Sequence, residues 1–200
     1  FIGFIATFIA TTLGTLAALG LSRPHMPYKG LIMAILISPM IVPLIITAAG
    51  MFFFYARINL VYSFTGIILA YVALATPFVV ITVTATLVGF DMNMVKAAQS
   101  LGARPVRTFF KVIMPLILPG VISGALFAFI TSFDEVVIVM FMGSLDQLTI
   151  PKQMWAGIRQ EISPVILCMA TCLVILSILL LTTVELLRRR SEKLRGIKSR

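Results

Sequence analysis

Charged residues are scarce in this sequence. They occupy 12% of its 200 positions, whereas a soluble globular domain carries about a quarter. With 60% hydrophobic residues and a mean hydropathy of +1.10, the chain lacks the polar surface an ordinary soluble fold needs. Histidine occurs once, as His25, with no ligand or nucleophile close by in sequence, and reads as a loop residue. Cysteine occurs twice, at Cys168 and Cys172 within an apolar run. Their spacing of four places them on one helical face, where they read as small packing residues; no His or carboxylate accompanies them at ligand spacing. A Walker loop, a metal cluster and a nucleophile–base arrangement are all missing, so no residue is expected to be catalytic or to hold a metal.

What is abundant is apolar sequence in long runs, and the expected fold is all-α, a bundle of transmembrane helices. Five spans are expected, near 1–21, 31–55, 61–88, 116–142 and 165–187. Each run is long enough for a helix to cross a hydrocarbon core of about 30 Å. In the first, Ala6, Ala10, Gly14 and Ala18 recur every four residues, a stripe that lets another helix approach closely. Pro39 and Pro43 predict a kink in the second run and Thr76-Pro77 one in the third. A kink of this kind either lines or hinges a path, or merely fits neighbouring helices. The Val-Thr alternation at 79–86 is strand-like, but an isolated strand cannot satisfy its backbone in lipid, so a helix is expected there.

The net charge of +9 does not point to nucleic acid. Of the 16 basic residues, 13 lie at 22–30, at 89–115 and in the tail from Arg188, and only Arg57, Lys152 and Arg159 lie on the other side. By the positive-inside rule this predicts a cytoplasmic carboxyl terminus, with the basic tail 188–200 held at anionic lipid headgroups. Asp134 and Glu135 form the one adjacent acidic pair, and they sit inside the fourth apolar run. An intramembrane charge costs about 2.5–3.5 kcal/mol on insertion scales, so these carboxylates should face a wet cavity, a cation or a protein donor. Successive helical residues lie about 100° apart, and the two need not share a cavity. In the mixed-charge segment 143–164, Trp155 suits an anchor at the membrane interface, on a re-entrant helix with no substrate contact.

The longest polar interruption runs from Asp91 to Pro115. Asp91 suits a helix N-cap, and Met94, Ala98 and Leu101 then follow at helical spacing. Gly102 and Pro105 predict that this short helix stops near Gly102. Arg104, Arg107 and Lys111 are expected on one side of a second short helix, facing either lipid phosphates or a protein.

Lys96-Ala97-Ala98, three intervening residues, Gly102, nine intervening residues and then Val112-Ile113-Met114-Pro115 resembles the EAA loop of binding-protein-dependent ABC transporter permeases. Lys96 stands where that signature usually has Glu. The resemblance implies a single permease domain over 1–200, with 91–115 as the loop that couples to an ATPase through Lys96, Ala97, Ala98, Gly102 and Pro115. It also implies an inner-membrane protein that works with a cytoplasmic ABC ATPase dimer, a second permease subunit and an extracytoplasmic substrate-binding protein. ATP and Mg would be used by the ATPase, and this chain would bind no cofactor. Such permeases commonly have six spans, so the chain, which begins at Phe1, is expected to lack the first.

Several stretches, among them 79–102, 132–137 and 151–164, look most like spermidine/putrescine-type permeases. The carboxylates suit a polyamine cation, and Asp134, Glu135 and Trp155 are the expected pathway residues. A glutamate in the neighbourhood of Glu135 is common in such permeases, so the resemblance gives Glu135 a structural alternative and leaves Asp134 the better candidate for substrate. It also implies that the outer region helps receive the loaded binding protein, with Gln153, Met154 and Trp155 near that gate. Permeases for iron(III), thiamine, phosphonates or opines share the same loop. An ion-driven secondary transporter with Asp134 and Glu135 as a proton relay is the rival from another class. It needs no coupling loop, and the internal repeat common in such proteins is not evident.

Overall fold

The computed structural model describes residues 1–23, 26–88, 93–160 and 164–194, and among the side chains leaves aside 159–160, 184–185 and 187–194. His25, the Asp91 cap and residues 195–200 of the basic tail fall outside the described residues. All regular structure among the described residues is helical. The order is α1 (Ile2–Leu21), α2 (Lys29–Ile41), α3 (Leu44–Arg57), α4 (Phe64–Val88), α5 (Asn93–Ser100), α6 (Pro105–Thr108), a π-helical turn (Phe109–Ile113), α7 (Met114–Phe133), α8 (Val137–Met142), α9 (Ile150–Gln160) and α10 (Pro164–Leu194).

The core is a three-helix packing of α1, α4 and α7. Small residues make it possible. Ala6, Ala10, Gly14 and Ala18 are all buried along α1, and a Cβ on Gly14 would fall 2.7 Å from the Cβ of Val79 on α4. On α7, Gly120, Gly124 and Ala128 are likewise buried at intervals of four. A Cβ at Gly124 would come within 2.9 Å of the Val79 Cα, and one at Gly120 would strike the Thr86 hydroxyl. Val79 therefore sits between two glycine-lined helices. In a bilayer, where helix association depends on close van der Waals packing, such seams hold the bundle. Helix α4 is the centre, with 61% of its apolar window buried, against none for α10.

Four helical stretches are long and apolar enough to cross a membrane, and α2 with α3 makes a fifth if the pair counts as one span. The kink expected at Pro39 and Pro43 is in fact a break, because α2 and α3 meet at 105°. Pro39 lies within α2, but Val42, the residue before Pro43, is extended at φ −72, ψ 134. Clash with the proline ring disfavours the helical region at that position, and the chain leaves the helix. In α4, by contrast, the helix runs on through Pro77, which has no N–H for the Ala73 carbonyl. The neighbouring Thr76 hydroxyl donates to the Val72 carbonyl at 2.6 Å.

The fourth span differs from its expected bounds. It starts at Pro105 and ends at Phe133, so the expected separate helix is the first part of the span itself, with Arg107 and Lys111 inside it and Arg104 as the extended residue just before it. Continuity is kept by the π-helical turn, in which the Met114 N–H bonds to the Phe109 carbonyl. Pro115 follows directly, and the wider turn gives its ring room that a regular α-turn lacks. The span then breaks at Asp134–Val136 before α8, so the acidic pair lies at a helix break and not within a helix. Cys168 and Cys172 are unpaired and exposed on α10, so they do not pack within this chain as expected.

Candidate functional site

The break after α7 opens onto a cavity of about 520 Å³. Thr131, Asp134, Glu135, Val136 and Met140 line one wall, with Leu44 from α3, Leu74 from α4 and Trp155 from α9 around the rest. The structure thus brings Asp134, Glu135 and Trp155 to one place, although Trp155 lies twenty residues beyond Glu135. Gln153 and Met154 are not among the lining residues.

The two carboxylates have different surroundings. Glu135 is buried, and its two oxygens accept the backbone N–H of Val137 at 3.0 Å and of Ile138 at 2.8 Å. It caps the start of α8, where free N–H groups and the helix dipole favour negative charge. Its own carbonyl accepts a hydrogen bond from the buried Tyr71 hydroxyl at 2.9 Å. Asp134 closes α7 with φ −90, ψ 1 and is exposed at the cavity. One acid is engaged by the fold and the other is open to the cavity.

A hydrogen-bonded link lies beside this region. The Tyr62 N–H donates to the Met142 carbonyl at 2.9 Å, and the Gln147 amide donates to the Tyr62 carbonyl at 3.1 Å while its oxygen accepts the Ser144 N–H at 3.0 Å. The Lys152 ammonium donates to the Ser144 carbonyl at 3.2 Å. These bonds tie the α3–α4 connection to the α8–α9 connection. Sequence reading found neither Tyr71 nor Gln147, since a lone Tyr in an apolar run and a lone Gln in a loop carry no local signal. Gly120 and Gly124 did carry one, the same four-residue spacing that marked α1.

Lys96, Ala97, Ala98, Gly102 and Pro115 lie away from the cavity, past the far end of α4 or at the start of α7. The end of α5 is a Schellman closure: Ala103 N–H bonds to the Ala98 carbonyl at 3.0 Å and Gly102 N–H to the Gln99 carbonyl at 2.9 Å. Gly102 has φ +78, the left-handed conformation this closure requires. Lys96 and Ala97 are exposed, Ala98 is half-buried, and a Cβ on Gly102 would meet nothing within 4 Å.

Residues 10–193 match the family described as binding-protein-dependent transport system inner membrane component. The chain is 31% identical over 191 residues to the spermidine/putrescine transport system permease protein PotC of Haemophilus influenzae, covering 96% of this chain and 74% of that protein. It is 29% identical over 174 residues to the putrescine transport system permease protein PotI of Escherichia coli K12, covering 83% of this chain and 62% of that one. Among solved structures, the MetNI methionine ABC transporter in inward-facing form superposes with a TM-score of 0.72 at 19% identity, covering 95% of this chain and 91% of that chain. An amino acid ABC transporter gives 0.65 at 19% identity, with coverage of 94% and 88%. The structural matches bear on the fold.

Proposed function

This chain belongs to the family of binding-protein-dependent transport system inner membrane components, and from that premise we propose that it passes a polyamine such as putrescine or spermidine through the membrane. The observation that carries the cargo is Asp134, a carboxylate exposed at the cavity beside Trp155. An ammonium group leaving water needs a counter-charge, and an indole face adds cation–π attraction. Glu135 is less suited, because both its oxygens already serve α8. The polyamine permeases among its relatives support the same cargo.

In this reading the chain pairs with a second permease subunit and receives cargo from an extracytoplasmic binding protein. The 91–115 loop and the basic tail face the cytoplasm of a bacterial cell. There, α5 docks on one subunit of an ABC ATPase dimer, which supplies the energy by hydrolysing ATP with Mg. Closure of the ATPases moves α5, and through α6, the π-helical turn and α7, which ends at the cavity, the side on which the cavity opens.

The test is uptake of labelled putrescine and spermidine by the assembled transporter, with wild type, Asp134→Asn and Glu135→Gln compared at equal assembly. Losing a charge-assisted contact of about 1.5–3 kcal/mol predicts a fall of about tenfold or more for Asp134→Asn. Glu135→Gln should act chiefly on stability. Wild-type transport of neither polyamine would remove the proposed cargo, and normal uptake by Asp134→Asn would remove Asp134 from the path.

A further inference from the structure

The sequence has seven acids, and among the described residues only Asp134 and Glu135 line the cavity. Glu135 is buried and both its oxygens are held by N–H groups of α8. Asp134 is therefore the one carboxylate of this wall that an arriving cation can reach. Of the other lining side chains only Thr131 and Trp155 carry an O–H or N–H group, and both are neutral. Leu44, Leu74 and Met140 belong to the remaining surface, which is apolar. The volume of about 520 Å³ falls within the usual range of small-molecule sites, about 300–1,000 Å³. Space for a short alkyl chain is ample, and counter-charge is what this wall has little of.

Resting on the polyamine reading above, we infer that the cavity recognises a single primary ammonium group with an alkyl stretch behind it, and does not count amines. The ammonium lies against the Asp134 carboxylate and the Trp155 ring, where a charge-assisted hydrogen bond and cation–π attraction act together. The methylenes behind it cover Leu44, Leu74 and Met140 and gain by leaving water. A second ammonium drawn against those apolar side chains would shed its hydration with no counter-charge, which is unfavourable. The further amines of putrescine or spermidine therefore stay hydrated outside this wall. The class of ligand is thus wider than polyamines and takes in primary alkylammonium ions with one charge.

Trp155 is the one tryptophan in the sequence, so its fluorescence reports on the cavity. The full chain in phosphatidylcholine nanodiscs is titrated with n-butylamine, putrescine, spermidine and the uncharged n-butanol, with Trp155→Phe as background. The expected result is a saturable change for each amine, with Kd values within about threefold of one another, and none for n-butanol. Asp134→Asn should raise each Kd by about tenfold or more, and Asp134→Glu, which keeps the charge, should recover part of that loss. Binding of n-butylamine at least about tenfold weaker than putrescine would reveal a second counter-charge in this chain. That result overturns the single-ammonium site and leaves the polyamine cargo standing. A saturable response to n-butanol equal to that of the amines, or amine binding unchanged in Asp134→Asn, also overturns it. No saturable response to any amine by the folded wild-type chain overturns the site as well, and uptake of labelled putrescine by the assembled transporter then decides the cargo separately. If Asp134→Asn does not fold, the comparison of n-butylamine with putrescine on the wild-type chain is decisive by itself.

Discussion

The hydroxyl of Tyr71 donates a 2.9 Å hydrogen bond to the carbonyl of Glu135, fastening α4 to the break between α7 and α8. Tyr71 is buried and 64 positions away in sequence, so this bond is a tertiary link. It holds the chain at the residue that follows Asp134, and α4 runs from there toward α5 at its other end. The same helix thus meets the cavity and leads to the helix proposed to dock.

Tyr71→Phe keeps the ring and removes the donor, leaving the Glu135 carbonyl without that partner. Such a loss costs about 1–3 kcal/mol. The expected outcome is a lower thermal midpoint for the purified chain, and polyamine uptake that falls several-fold at equal ATPase assembly because the position of Asp134 relaxes. Uptake equal to wild type would show that the link has no part in transport.

Gly124→Leu should be severe. Its side chain would start 2.9 Å from the Val79 backbone on α4, where no rotamer change can make room. Overpacking of this kind costs about 1–3 kcal/mol and sometimes more. Protease resistance in membranes should drop, while Gly20→Ala, at a helical site with nothing within 4 Å, should match wild type or exceed it slightly. Similar resistance in both variants would refute the packing argument.

Gly102→Val tests conformation apart from contact, since the site is spatially open and its φ is +78. Left-handed backbone costs an L-residue about 1–2 kcal/mol, and Asn tolerates it better than a β-branched residue. Uptake should be largely lost in Gly102→Val and better kept in Gly102→Asn, with both inserted at normal abundance. Equal uptake by the two would mean that the closure of α5 is unimportant for coupling.

Much of this protein was determined locally. Long apolar runs implied the helices, because a backbone in lipid must satisfy its own hydrogen bonds. The four-residue spacing of Ala6, Ala10, Gly14 and Ala18 implied a packing face, and all four are buried. Gly102 ended α5 because a left-handed residue closes a helix and glycine has no Cβ to oppose it. These features follow from periodicity and single-residue conformation.

Other features exist only once distant segments meet. Hydropathy ran through Asp134 and Glu135 into α8 and so did not reveal the break there. Sequence favoured Asp134 over Glu135 for substrate, but only the fold supplies the physical reason: one acid caps α8 and the other opens to the cavity, because each side chain answers to its neighbours in space. The cavity itself needs Leu44, Leu74 and Trp155 from three further helices. Whether Pro39, Pro43 and Pro77 bend, break or leave a helix also depended on surroundings: α4 is packed between α1 and α7 and holds its course, while α2 and α3 have far less packing around them and turn through 105°.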